Sequence, residues 1–200
     1  TPLTLVATDL DHTFLGADQR PSELNTRSMF AAAEHGTAVV FATGRPLRWL
    51  DLLEVFTDVN PTVIASNGAV TYDLRNHRVI SDTPFPIDVI TDVVNDISSE
   101  LPEAKFSLEE ARSCYVEPGF DRVDHGRPVT HQGPIHEFLT PDSRPVKMLV
   151  RTFGIPTEEL FEIVDGLVDG RVSTTFSVQL DDGLVELAPI GVSKGAALSA

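Results

Sequence analysis

The sequence predicts an α/β protein: a doubly wound parallel sheet into which a separate α+β domain is inserted. Three observations point there. Short apolar runs alternate with helical patterns along the first third of the chain. A polar cluster follows each run, where open α/β sheets bind ligands. Past about residue 70 the texture changes to hairpins and helix-strand-strand units.

Residues 3–8 (LTLVAT) form an apolar, β-branched run and read as a buried parallel strand. Pro21 and Ser22 open a helix that Gly36 ends. Residues 37–42 (TAVVFA) read as a second buried strand. Leu47, Leu50, Leu53 and Phe56 recur at helical spacing, so a helix is expected over 46–56, and 63–65 is the third strand. Residues 70–73 and 78–81 can pair as a hairpin across Asn76 and His77. A helix follows over 87–101, then strands near 105–108 and 112–116. Residues 117–145 are rich in Pro, Gly and His and read as loop, with one short element near 136–139. Strand 146–153, helix 157–168 and strands 171–180 and 184–187 complete the pattern. The expected domains are therefore 1–82 for the core, 83–185 for the insertion and 186–200 for the return to the core.

Of 200 residues, 30 are acidic and 15 basic, a net charge of -15. That field opposes adhesion to nucleic acid or anionic membranes, so any anion site must be locally positive. The single cysteine, Cys114, allows neither an internal disulfide nor a paired zinc site, and a reducing cytoplasm is the expected compartment. No apolar run approaches the ~18–20 residues of a membrane span, and no basic stretch leads into an apolar run as in a signal peptide. The chain opens at Thr1 and stops at Ala200 in what reads as the first turns of a helix. The expectation is a fragment of a longer protein, poorly stable and weakly active by itself.

Three polar clusters follow the three predicted strands, and a fourth lies near the end. Asp9 and Asp11 stand two apart after the first strand. Such a pair can hold a hard cation, or divide nucleophilic and proton-transfer work. It also occurs in metal-dependent glycosyltransferases, and equally as a solvated strand end. Thr43, before Gly44 and Arg45, fits an anion cradle of hydroxyl and free amides, or a helix N-cap ahead of Pro46. Asn67-Gly68 reads as a tight turn, with substrate contact second. Ser193 can cap a helix whose first turn carries Lys194. A cation there opposes the helix dipole, which a phosphate partner would explain, though an ordinary surface lysine fits too. His125, His131 and His136 are irregularly spaced and read as solvated loop rather than a metal site, Cys114 as packing, and Trp49 as core or rim.

Together these clusters resemble the haloacid dehalogenase superfamily, and within it the Cof-type phosphatases. Residues 9–15 (DLDHTFL) are similar to the first motif, 41–45 (FATGR) to the second, 65–69 (ASNGA) to a further Cof-type segment, and 186–195 to the third. The resemblance implies a Rossmann-like core with an inserted cap, and a Mg2+-dependent phosphatase acting on small phosphorylated metabolites, sugar phosphates or similar. It implies Asp9 as nucleophile and magnesium ligand. Asp11 would be the acid and base, its carbonyl a second ligand. Thr43 and Lys194 would hold the phosphoryl group, with Gly44, Arg45, Asn67 and Gly68 at the substrate. Two departures stand out: His12 replaces the usual glycine of the first motif, and the acidic fourth motif is absent. Rivals are a phosphotransferase or mutase on the same fold, a phosphometabolite-binding protein without turnover, and a phosphoacceptor signalling domain.

Overall fold

The computed structural model describes residues 3–120 and 129–200. The chain divides into two compact units, Thr1–Asp82 with Val192–Ala200, and Thr83–Gly191.

The first unit is built on a five-stranded sheet. Leu5–Asp9 (β1), Ala38–Ala42 (β2) and Thr62–Ala65 (β3) run parallel; Val70–Asp73 (β4) and Arg78–Asp82 (β5) add an antiparallel hairpin, in the order β1-β2-β3-β4-β5. The strand alternation sorts the two faces. Phe41 packs with Phe14 and Phe56 at centroid distances of 5.1 and 5.3 Å, beneath the helix Glu23–Glu34 (α1) and the segment Asp51–Val59. Val40, Ala42 and Ile64 face the other way and meet Ala197 of the helix Lys194–Ser199 (α4). Cover on both faces makes this a Rossmann-like α/β core. Ser22 caps α1 by accepting from the Asn25 N–H at 3.1 Å.

Three expectations need correcting here. First, β1 is not a buried strand: Leu5 is 43% exposed, and among the described residues β1 pairs with β2 alone. Second, residues 46–56 are not α-helical. They form 3-10 turns, Leu47–Trp49 and Asp51–Val59, broken at Leu50 and ended by left-handed Asn60. Leu47, Leu50, Leu53 and Phe56 repeat every three residues, the spacing a 3-10 helix eclipses on one side. Third, Glu186 does not return to the core. Leu184–Ala188 is a strand of the second unit's sheet, and the hand-over follows Gly191.

That second sheet has six strands. Lys105–Glu109 (β6), Cys114–Val116 (β7), His131–Gln132 (β8), Lys147–Arg151 (β9), Ser173–Thr175 (β10) and Leu184–Ala188 (β11) run in the order β10-β11-β9-β6-β7-β8. All pairs are antiparallel except β7 with β8. Helices Ile87–Glu100 (α2) and Thr157–Val168 (α3) lay Ile90, Val94, Leu160 and Val164 against Phe106, Met148, Val150, Val185 and Leu187. Each such side chain contributes about 1.5–3 kcal/mol. Lys147 and Glu186 form an ion pair of 2.6 Å with both side chains largely buried. The expected strand 171–180 shrinks to β10. Leu180 is drawn to the start of α3, where its carbonyl accepts from the Thr157 N–H and its N–H donates to Thr157 Oγ1. The short element expected near 136–139 is the 3-10 turn Ile135–Glu137.

Candidate functional site

β1 delivers Asp9 at its carboxyl end, level with Ala42 of β2. The chain then doubles back through a π-type turn, Leu10–Phe14, closed by the Leu15 N–H on the Leu10 carbonyl at 2.8 Å. Buried Leu10 and Phe14 anchor it from below, and Asn25 Nδ2 donates to the Phe14 carbonyl at 2.9 Å. Between those anchors Asp11 is extended and His12 is left-handed (φ 57°, ψ 12°). This is the conformation the glycine of the first motif suits, and histidine tolerates it at modest cost.

β2 delivers Thr43, which is fully buried. Its N–H donates to the Ile64 carbonyl at 2.8 Å and its carbonyl accepts from the Asn67 N–H at 3.0 Å. Its hydroxyl accepts from the Arg45 N–H at 3.1 Å, an i to i+2 turn rather than the cap of an α-helix. The expected cradle of free amides is therefore absent at two positions: the Thr43 and Arg45 N–H groups are spent inside the protein. The hydroxyl and the charged side chains are what this loop can offer an anion.

β3 delivers Ser66, Asn67 and Gly68, all at positive φ (49°, 57° and 110°). The Ser66 N–H donates to the Arg45 carbonyl at 2.9 Å, which ties this turn to the previous one. A Cβ on Gly68 would lie 2.3 Å from the Ser193 carbonyl oxygen. Glycine is what lets the returning chain pass there.

The returning chain carries the cation. Ser193 caps α4 by accepting from the Ala196 N–H at 3.0 Å, so Lys194 opens the helix. Its Nζ reaches Asp9 Oδ1 at 2.6 Å, closing a pair 185 residues apart in sequence. A second pair flanks it. Arg45 Nε donates to Asp11 Oδ2 at 3.0 Å and Oδ1 at 3.2 Å, and Nη2 also donates to Oδ1. Arg45's hydrogen bonds hold the Asp11 carboxyl below its ordinary value of 3.8; partial burial opposes them, and the charges of Arg45, His12 and Lys194 assist.

The sequence-predicted site residues fall at the ends of β1, β2 and β3 and at the start of α4: Asp9 pairs with Lys194; Asp11, Arg45, Thr43 and Asn67 share a hydrogen-bond network; and Gly68 lies against Ser193. Gly44 joins the network by proximity, since a Cβ there would lie 2.9 Å from Asn67 Oδ1. Sequence reasoning missed Gln19, whose Oε1 accepts from Arg45 Nη2. Nothing in the sequence pointed Gln19 at Arg45.

The other candidates lie elsewhere. Cys114 is buried with Val116 and Phe120. Half-buried Trp49 has the Arg48 guanidinium 5.2 Å from its ring centroid. His131 stacks on Tyr115 at 4.9 Å, His136 sits in the 3-10 turn, and His125 lies outside the described residues. Among the described residues no three His, Cys, Asp or Glu side chains converge as a metal site, and no helix is long and apolar enough to cross a membrane.

The family model for haloacid dehalogenase-like hydrolases matches residues 6–200, and the chain belongs to that family. YxeH of Bacillus subtilis (strain 168), provisionally named a phosphatase, is 33% identical over 101 residues, 48% of this chain and 37% of that protein. The matched stretch thus spans little more than a third of this relative. A haloacid dehalogenase-like hydrolase from Bacteroides thetaiotaomicron shares the fold with a TM-score of 0.79 at 17% identity, covering 98% of this chain and 75% of that one. A subclass IIB sugar phosphatase, BT4131, does so at 0.77 and 16%, covering 98% and 74%.

Proposed function

We propose that this chain carries the phosphoryl-transfer site of a Cof-type, magnesium-dependent phosphomonoesterase acting on small phosphorylated metabolites, sugar phosphates or similar. One observation carries the reading: Lys194 Nζ on Asp9 Oδ1 at 2.6 Å, with Thr43 and the Asp11–Arg45 pair joined to the same turns. A lysine brought back across the whole inserted domain to the end of β1 offsets the charge of a carboxylate that must approach an anion. The sugar phosphatase among the structural neighbours suggests the substrate class by analogy of fold.

The chemistry assigns each residue a task. Asp9 attacks phosphorus, forming an aspartyl-phosphate as the bond to the leaving oxygen breaks. Asp11, protonated, gives its proton to that oxygen. Asp11, now a carboxylate, takes a proton from the water that attacks phosphorus; the bond to Asp9 breaks and phosphate leaves. The hold of Arg45 on Asp11 favours the carboxylate, the form for the second step, so the first requires that hold to loosen. The Thr43 hydroxyl and Lys194 ammonium bind phosphoryl oxygens. Asp9's carboxylate and Asp11's main-chain carbonyl are hard oxygen donors two residues apart where β1 enters the turn, and they suit magnesium, which commonly keeps several waters and one or two carboxylates. When bound, it would neutralise charge on the phosphoryl oxygens. The buried, single Cys114 accords with a reducing compartment, and we place the protein in the cytoplasm.

A second reading is a phosphometabolite-binding protein without turnover. It draws on the pair of carboxylates with no third acid converging on it among the described residues. Magnesium-dependent phosphate release from p-nitrophenyl phosphate and a sugar-phosphate panel, wild type against Asp9→Asn, separates the two. Release abolished by Asn and by chelation supports the enzyme. Magnesium-dependent binding of a sugar phosphate without release supports the alternative.

A further inference from the structure

We infer that Gln19 is a positioning residue for Asp11, acting through Arg45; the inference rests on the acid and base role proposed for Asp11. The loop that carries Gln19 is built tightly. Leu15 bridges Pro21, the Gly16 N–H donates to the Arg20 carbonyl at 2.8 Å, and the Gln19 N–H donates to the Gly16 carbonyl at 3.0 Å. Asp18 Oδ1 accepts from the Arg20 N–H at 3.1 Å. Gln19 itself is left-handed (φ 62°), a conformation that glutamine takes only where its surroundings hold it. The turn is exposed, yet the amide at its tip is turned onto the guanidinium beside the site.

The geometry explains what the amide does there. Arg45 presents one edge to Asp11: Nε to Oδ2, and Nη2 to Oδ1. Nη2 carries a second hydrogen, and Gln19 Oε1 accepts from that same nitrogen. The guanidinium is planar, so an acceptor on Nη2 fixes the plane in which the Asp11 carboxylate is gripped. A neutral amide does this without competing for the charge of Arg45; a carboxylate in its place would draw the guanidinium off Asp11. Among the described residues Gln19 has no hydrogen bond to Asp9 or Lys194, so its influence on them runs through Arg45 and Asp11.

That route has a kinetic signature. Asp11 matters most where the leaving oxygen needs a proton, as in an alkyl or sugar phosphate, and least for p-nitrophenyl phosphate, whose phenolate leaves unaided. The value of kcat/KM covers only the steps through transfer to Asp9. The test is Gln19→Met, which keeps length and loses the acceptor, with Gln19→Glu beside it. Both change an exposed side chain, and thermal unfolding checks that they fold as wild type does.

The expected result is that the ratio of kcat/KM for p-nitrophenyl phosphate to that for a sugar phosphate falls about fivefold, the rate equivalent of one hydrogen bond, since losing Gln19 loosens the hold that the first step must break. Equal loss on both substrates would overturn the inference and make Gln19 a phosphate-binding residue; no change on either would overturn it as well. A second readout needs no activity. The Arg45 Nη resonances, separate in wild type when rotation about the Cζ–Nε bond is hindered, should merge in Gln19→Met, and identical spectra would overturn the inference. If wild type releases no phosphate at all, the proposed function fails, and the resonance comparison still decides the positioning claim.

Discussion

Three glycines separate the two ways in which a methyl group can damage this site. At Gly68, alanine meets backbone: its Cβ would lie 2.3 Å from the Ser193 carbonyl oxygen and 2.5 Å from its carbon, at φ +110°. Neither atom is the tip of a flexible side chain, so the turn after β3 and the start of α4 must part. Overpacking of this kind costs about 1–3 kcal/mol, and a positive φ forced on alanine adds about 1 kcal/mol. At Gly191, φ is +80° with nothing within 4 Å, so alanine bears the backbone term alone. At Gly44 the neighbour is Asn67 Oδ1 at 2.9 Å, a side-chain tip that can swing. The expected order of destabilisation is Gly68→Ala, about 2–4 kcal/mol, then Gly191→Ala near 1 kcal/mol, then Gly44→Ala below 1 kcal/mol. Thermal unfolding reads the first as a Tm drop of about 5–15 °C. Gly68→Ala should also cut turnover, because Lys194 shares the displaced backbone. If Gly68→Ala unfolds within a degree of wild type, the close passage of the two segments is wrong.

Lys194→Met should lower kcat/KM by about 100–1000-fold, the loss typical of one preorganised electrostatic contact, with Lys194→Arg intermediate; a loss in KM alone would speak for a remote binding role. Asp11 lies below its ordinary 3.8 through Arg45, so its contribution to stability is present above that value and is lost as pH falls through the folded pKa. The Tm advantage of wild type over Arg45→Met should therefore be steady at neutral pH and shrink below about pH 4. It should also weaken with salt, since Asp11 is partly exposed; an advantage independent of pH would contradict the assignment. Lys147→Met takes the cation from Glu186, which keeps the Ser177 hydroxyl at 2.7 Å, and should cost about 3–5 kcal/mol in urea unfolding, and Lys147→Met with Glu186→Leu should recover most of it. Equal losses in the single and double variants would show that the pair is not what stabilises that face.

Much of the site was legible because each functional side chain sits immediately after an apolar run. Asp9, Thr43 and Asn67 are assigned to strand ends by the sequence alone, and Lys194 by its capping serine. What the sequence concealed were partners fixed by tertiary structure. The Thr43 N–H is consumed by Ile64 because parallel pairing of β2 with β3 extends one residue past the strand, and no local pattern reports that. The three-residue repeat of Leu47, Leu50, Leu53 and Phe56 was present, but it is close enough to the α-helical period to be taken for it. The alternation of Val185 and Leu187 suits either sheet, so the boundary at Glu186 could not be located without knowing that β9 is its neighbour. Gln19 was hidden because its role depends on Arg45, 26 residues away, and on a left-handed turn residue that is not glycine.

The central claim is that Asp9 accepts the phosphoryl group. The direct measurement is borohydride trapping during turnover of p-nitrophenyl phosphate with magnesium, followed by peptide mass spectrometry. An aspartyl-phosphate is reduced to homoserine, so the expected result is that mass change at position 9, absent without substrate and absent in Asp9→Asn. Steady phosphate release with an unmodified Asp9 peptide, undiminished in Asp9→Asn, would contradict the account.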